Sequence, residues 1–213
     1  MPRTLESANP PRDRFDDPQS TYHVIYASSQ PLGCFMECLA RYRRPTGELA
    51  ARFRADIDAI EGENDFIAPG LVPTQWFSER RLGLADAKGC YADVYHSTWQ
   101  PVLRQRLGGI ASEYGFEDIN LAELMQDACR PLTQAVSQLV FGHADDFDGI
   151  RYTSKLGHDI ENWALFEPYR GLRPLGADRL SAEDPDFLEA LRRLDLAYEG
   201  EHVRARRRRT VTK

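Results

Sequence analysis

The sequence predicts an α+β fold: a single domain with a mixed sheet core and flanking helices. Three observations predict it. Strand-like and helix-like segments follow one another without the regular βαβ alternation of a doubly wound sheet. Hydrophobic residues make up 42 % of the 213 residues and charged residues 28 %, an ordinary balance for a protein with a proper core. We find no internal repeat and no linker that would divide the chain.

The ends of the chain differ in composition from its centre. Residues 1–12 are rich in Pro and Arg, and we expect an irregular arm there, followed by a domain over residues 13–200. Residues 201–213 form a basic tail with five arginines. Terminal charge runs usually stay unfolded, and contact with nucleic acid or an acidic partner is the alternative for this tail.

The first elements are a strand and a helix. The segment "YHVIYAS", residues 22–28, predicts a strand with Val24 and Tyr26 on one face. Ser28 or Ser29 is the predicted cap of the helix that follows, and Pro31 suits its first turn because no intrahelical donor is needed there.

This helix has a buried stripe and one acidic residue away from it. The stripe is formed by Leu32, Phe35, Met36 and Leu39, at the three-and-four spacing of a core-facing helix side. Glu37 lies about 150° from the centre of the stripe, so its carboxylate should face solvent or a cleft.

The middle of the chain predicts two helices and two strands. "TGELAARFRADIDAIEG", residues 46–62, has the pattern of a helix that ends at a glycine. "QWFSERRLGLA" and "KGCYADV" indicate two strands around a turn. A helix is expected over residues 97–107, with Pro101 in its first turn.

The last third predicts two helices around two strands. Asn120 and Glu123 resemble a capping box that opens a helix toward Gly142, with Pro131 interrupting it. "DGIRYTS" and "NWALFEPY" indicate strands. Ser181 is the predicted cap of a final helix, whose expected inward residues are Phe187, Leu188, Leu191, Leu194 and Tyr198.

Common catalytic motifs are missing from the sequence. It contains no Gly-Lys-Ser/Thr phosphate loop, no dinucleotide fingerprint and no Gly-x-Ser-x-Gly elbow. The five histidines are scattered without the spacing of a helical metal site, so we expect no metal.

Charge and hydropathy restrict the binding partners and the cellular compartment that we expect for the protein. The net charge of −6 disfavours nonspecific binding to nucleic acid. No apolar run approaches the roughly 20 residues that cross a bilayer, and no signal peptide begins the sequence, so we expect a cytoplasmic protein without membrane contact. The four cysteines fit neither a zinc ribbon nor a disulfide framework and are expected to be reduced and mostly buried.

Three stretches together resemble the RES-domain family. They are "DRFDDPQSTYHVIYASSQPLGCFMECLARYR", "RPLTQAVSQLVF" and "DFDGIRYTSKLGHDIENWALFE". The family is named for an arginine, a glutamate and a serine, and these match Arg14, Glu37 and Ser154. The resemblance covers about residues 12–170 and implies an ADP-ribosyltransferase-like fold.

The resemblance also implies an activity and partners. Several family members are bacterial toxins that destroy NAD⁺ and are silenced by a helix-turn-helix antitoxin. On that basis NAD⁺ is the expected substrate, the expected partner is such an antitoxin, and any link to nucleic acid is indirect. Transfer of ADP-ribose to a protein is one alternative. Only thirteen residues precede Arg14, fewer than is usual in the family, so a binding module without activity is another.

The residue types at these positions also suit the cleavage of NAD⁺. Cleavage of the nicotinamide–ribose bond develops oxocarbenium character on the ribose, which the carboxylate of Glu37 would stabilise. The forked donors of Arg14 suit the pyrophosphate. Tyr26 is expected to line the site as an aromatic wall, and the hydroxyl of Ser154 to orient the nicotinamide amide or the ribose.

Each of these residues also has an ordinary structural interpretation. Glu37 is then a solvated helix residue, and Arg14 forms a local ion pair with the neighbouring aspartates. Tyr26 is then a core residue of its strand, and Ser154 a turn or cap residue.

Overall fold

The computed structural model describes residues 13–44, 46–47, 69–78, 80–120 and 130–200. Its helices and strands form mixed sheet and helical structure, which confirms the α+β class. The predicted arm over residues 1–12, the predicted helix over residues 46–62 apart from its first two positions, and the tail over residues 201–213 lie outside the described residues.

The described strands and helices alternate irregularly along the chain. The strands are β1 Val24–Ser28, β2 Leu71–Val72, β3 Arg81–Ala87, β4 Tyr91–Asp93, β5 Gly149–Ser154, β6 Gly157–Phe166, β7 Leu172–Arg179 and β8 Ala197–Tyr198. The α-helices are α1 Pro31–Leu39, α2 Gln100–Glu113, α3 Arg130–Phe141 and α4 Pro185–Leu194.

The chain divides into two compact units. The first consists of residues 1–29 and 85–173, and the second of residues 30–84 and 174–213. Each unit therefore combines two stretches that are far apart in sequence. The expected bounds of the arm, the domain and the tail stay a prediction.

The first unit is built on a four-stranded sheet in the order β1-β6-β5-β4. Strands β1, β6 and β5 are antiparallel neighbours, whereas β4 runs parallel to β5. Tyr26 is in register with Ala164, and Ala164 with Ile150, so these three side chains share one face. That face, here called the core face, packs into a cluster that also contains buried residues of α2 and α3.

Two strand predictions are confirmed, but their pairing is different from the expected one. The segments around β3 and β4 do form strands, yet β3 pairs with β7 and β4 with β5. The start of the first segment is a 3-10 helix, Thr74–Phe77. Strand β7 was not predicted, since most of its side chains are exposed and its sequence lacks a buried alternation.

The second unit contains α1 and α4, which pack against each other. The predicted stripe of α1 is buried, and Pro31 lies in its first turn. The predicted serine cap is wrong: Gln30 occupies the N-cap position without a side-chain hydrogen bond. The hydroxyl of Ser28 instead donates to the backbone oxygen of Glu161, and the hydroxyl of Ser29 to its carboxylate.

Helix α4 differs from the expectation at its start and on one face. Asp184, not Ser181, caps it by accepting from the backbone N–H groups of Asp186 and Phe187. Phe187 is fully buried, whereas Leu188 is 42 % exposed, so its predicted inward position is wrong. The helix ends at Leu194, and the predicted inward Tyr198 lies in β8.

Helices α2 and α3 fall where the sequence placed them. The expected helix over residues 97–107 begins as a 3-10 turn and continues to Glu113. Helix α3 has Pro131 at its second described position, and the predicted capping box of Asn120 and Glu123 extends outside the described residues.

The structure tests two further predictions, one on membrane-spanning helices and one on the cysteines. Within the described ranges, no helix is both long enough and apolar enough to cross a bilayer. Cys34, Cys38 and Cys90 are free thiols, but Cys34 is only partly buried and the other two are exposed. The expectation of mostly buried cysteines is therefore wrong for these three.

Candidate functional site

Polar side chains form a row across three strands on the core face. Ser28 of β1 is in register with Asn162 of β6, and Asn162 with Tyr152 of β5. One step further along the same strands, the face carries Tyr26, Ala164 and other core residues. Asn162 is 1 % exposed. The polar row Ser28, Asn162 and Tyr152 therefore marks one end of an otherwise apolar face.

Tyr26 holds the chain segment that carries Arg14. Its hydroxyl accepts from the backbone N–H of Phe15 at 2.8 Å and donates to the carboxylate of Asp16 at 3.0 Å. Burial raises the pKa of the Tyr26 phenol, and the charge of Asp16 raises it further. The phenol thus stays protonated and keeps donating at all ordinary pH values.

Arg14 lies beside an aromatic group. Its Nη1 donates to the hydroxyl of Tyr95 at 3.0 Å. The Tyr95 ring packs edge-on against Tyr152, with centroids 6.5 Å apart, and Phe15 packs edge-on against Tyr152 at 4.9 Å. The structure therefore links Arg14 directly to Tyr95 and, through the Tyr95 ring, to Tyr152 of the polar row.

Ser154 is the last residue of β5 and is 1 % exposed. The pairing of β5 with β6 shifts register between Thr153 and Ser154. The Ser154 hydroxyl accepts from the backbone N–H of Leu156 at 3.0 Å, in the turn that leads into β6. Ser154 thus has the structural role of a turn residue, and its role toward a substrate stays a prediction.

Glu37 is exposed on α1, away from the buried stripe, as predicted. It belongs to the second unit, whereas Arg14, Tyr26 and Ser154 belong to the first. Its part in a common site with them stays a prediction.

The opposite face of the sheet carries an ionic network. Arg151 of β5 contacts Asp93 of β4 and Glu161 of β6, both at 2.5 Å. The Ser29 hydroxyl lowers the pKa of Glu161, and Arg151 lowers it further against the effect of burial. Trp163 donates to the Ser29 hydroxyl at 2.8 Å. This network ties four strands or strand ends together behind the polar row.

The predicted site residues omit four that the structure places beside Arg14 or in the polar row, including Ser28. Tyr152 stands two residues before Ser154, so the period of a strand indicates a related position. Asn162 alternates with Ala164 and Phe166, which puts an amide on a core-facing position. Tyr95 follows directly after a predicted strand, where nothing local indicates its contact with Arg14.

The described residues contain no group of three or more His, Cys, Asp or Glu side chains that could hold a metal ion.

Most of the chain matches a known protein family. The model described as the RES domain matches residues 1–180 of the 213-residue chain, a range that includes Arg14, Tyr26, Glu37 and Ser154. No curated protein and no solved structure matches the chain.

Proposed function

Because the chain belongs to the RES-domain family, we propose that it binds NAD⁺ and cleaves the bond between nicotinamide and ribose. Arg14 would bind the pyrophosphate, and Glu37 would stabilise positive charge on the ribose. Tyr26 and Ser154 complete the proposed site.

The structural observation that best supports this proposal is the environment of the Arg14 side chain. Its side chain donates to Tyr95, and Tyr26 fixes the adjacent backbone. An arginine held in this way presents its forked donors at little further entropic cost, which favours binding of a phosphate group. The neighbouring rings of Tyr95 and Tyr152 supply flat surfaces of the kind that adenine and nicotinamide pack against.

The proposed reaction needs no external redox partner. The bond between the ribose C1 and the nicotinamide nitrogen breaks, and its electron pair leaves with nicotinamide. A water oxygen forms the new bond to C1 and releases one proton, which yields ADP-ribose. Phosphate in place of water would yield a phosphate adduct. A carboxylate near C1 lowers the barrier because the positive charge is larger in the transition state than in the ground state.

The first test is nicotinamide release from NAD⁺ by the purified protein, with and without phosphate. Glu37→Gln keeps the shape of the side chain and removes its charge, and we expect it to lower kcat by about 100-fold or more. Glu113→Gln removes a charge from another exposed glutamate, at the end of α2, and should leave the rate unchanged. No release from the folded natural protein at millimolar NAD⁺ would contradict the proposal.

Two related proposals follow from the family and need their own measurements. Transfer of ADP-ribose to a protein would leave a covalent mark that mass spectrometry of a lysate detects, whereas hydrolysis would not. We also propose a helix-turn-helix antitoxin as partner in a bacterial cytoplasm. Failure of the two proteins to co-purify when produced together would argue against that partner.

A further inference from the structure

Three polar residues form a stripe along one side of α3. Gln134, Ser137 and Gln138 are spaced at three and four residues, so they lie on the same side of the helix. Ser137 is fully buried, and Gln134 is 9 % exposed. A helix that is otherwise buried through leucine and valine gains nothing from such side chains unless they are hydrogen-bonded.

The stripe binds the backbone on both sides of Arg14. The Gln134 amide donates to the backbone oxygen of Asp13 at 3.3 Å. The Ser137 hydroxyl donates to the backbone oxygen of Phe15 at 2.6 Å. The backbone carbonyls of the two residues on either side of Arg14 are thus held by one helix.

The same stripe fixes the rest of the loop. Because Ser137 donates its only proton to Phe15, the hydroxyl of Tyr22 is the donor in their contact at 2.7 Å. The Gln138 amide donates to the buried carboxylate of Asp17 at 2.7 Å. This carboxylate in turn accepts from the backbone N–H of Thr21 at 2.6 Å.

We propose that the stripe Gln134, Ser137 and Gln138 positions Arg14 for the pyrophosphate of a dinucleotide. The inference rests on the proposed function, since it takes Arg14 as the residue that contacts the pyrophosphate. The three stripe residues act through Arg14 and do not touch the substrate themselves. The segment "RPLTQAVSQLVF" thereby gains a function beyond packing.

The test measures the affinity of the purified protein for ADP-ribose by calorimetry. ADP-ribose contains the pyrophosphate but no scissile nicotinamide bond, so the measurement does not depend on turnover. We expect Ser137→Ala to weaken binding roughly fivefold, the effect of losing the hydrogen bond that holds the Phe15 carbonyl beside Arg14. The matched control is Thr133→Val, which removes a buried hydroxyl from the same helix that donates only to the helix backbone at Arg130. This control should bind like the natural protein.

A double variant separates positioning from a merely structural role. If Ser137 acts through Arg14, then Arg14→Lys combined with Ser137→Ala should bind ADP-ribose no more weakly than Arg14→Lys alone. Additive losses would overturn the inference. So would an unchanged affinity of Ser137→Ala, or absence of ADP-ribose binding by the natural protein.

The two measurements distinguish failure of this inference from failure of the proposed function. Binding of ADP-ribose that depends on Ser137, without nicotinamide release, would support the stripe and contradict cleavage. Nicotinamide release, together with an affinity for ADP-ribose that Ser137→Ala leaves unchanged, would support cleavage and contradict the role of the stripe. If Ser137→Ala does not fold, then Gln134→Met is the second variant, because it loses only the longer hydrogen bond to Asp13. It should weaken binding in the same non-additive way.

Discussion

The hydroxyl of Tyr26 does two things at once for a single loop. It accepts from the backbone of Phe15 and donates to Asp16, the two residues that follow Arg14. Its ring, in contrast, packs against the core cluster. The expected contact with a substrate ring and the observed anchoring of the loop therefore use different parts of the same side chain, and one substitution separates them.

Tyr26→Phe keeps the ring and removes the hydroxyl. If anchoring matters, the variant should lose about 1–2 kcal/mol of unfolding free energy, because the Phe15 N–H loses its partner. The KM for NAD⁺ should also rise. Urea unfolding and nicotinamide release measure these effects, with Tyr114→Phe, a tyrosine that is 53 % exposed, as the control. If Tyr26→Phe has the same stability and the same KM as the natural protein, the hydroxyl does not anchor the loop and only the ring contributes.

At the scale of elements, helix ends show where local sequence rules apply and where they do not. Both α1 and α4 have predicted serine caps, and in both cases the serine is engaged elsewhere. Ser29 donates to the carboxylate of Glu161, and Ser181 to that of Glu183. Asp184 caps α4 because it stands directly before Pro185, which fits the first helical turn without a donor.

Replacing the cap of α4 should be measurable. We expect Asp184→Ala to lower the free energy of unfolding by about 1 kcal/mol, since two backbone N–H groups lose their acceptor. Ser181→Ala should change it by less than about 0.5 kcal/mol, because its contacts are exposed. Chemical denaturation of both variants provides the comparison, and an equal loss in the two would show that Asp184 is not the effective cap.

Element type was predictable from sequence where one face of an element is buried. The alternation of Val24 and Tyr26 and the stripe of α1 both follow from burial on one side, and both predictions are confirmed. Pairing was not predictable in the same way. Strands β3 and β4 are neighbours in sequence, but each finds its partner far along the chain, and nothing in their own residues encodes that partner.

At the scale of the whole molecule, the loop around Arg14 depends on a buried charge. Burial raises the pKa of Asp17, but the hydrogen bonds from Thr21, Gln19 and Gln138 outweigh this effect and hold the pKa below its ordinary value of 3.8. A carboxyl whose pKa is lower in the folded protein stabilises the fold above its unfolded pKa. That contribution is lost as the pH falls from about 4 through the folded pKa.

Asp17→Asn should therefore change the acid response of the protein. At pH 7 the variant is expected to unfold about 2 kcal/mol more easily, because bonds to a charged acceptor become bonds to a neutral one. The difference from the natural protein should shrink as the pH falls below 4. Urea unfolding across this pH range tests it, with the exposed Asp145→Asn as control. A constant difference at all pH values would contradict the role of the Asp17 charge.

The site was only partly predictable from sequence. Arg14, Tyr26 and Ser154 were found through the family resemblance, and the structure places all three in one unit. The contact of Arg14 with Tyr95 joins residues 81 positions apart, and the stripe on α3 lies more than a hundred residues from the loop that it holds. Such contacts depend on the tertiary fold, so neither local propensity nor periodicity indicates them.

The pairing of β1 with β6 has a consequence for protein synthesis. Strand β1 leaves the ribosome roughly 130 residues before the strand with which it pairs. At ordinary rates of translation this is a delay on the order of 10 s. During that time the nascent chain carries Arg14 and Tyr26 but neither β6 nor, at first, helix α3, which holds the backbone around Arg14. Strand β1 can pair with β6 only when translation has passed Phe166, so a chain released before that point would lack the strand that supports Tyr26 and carries Asn162 of the polar row.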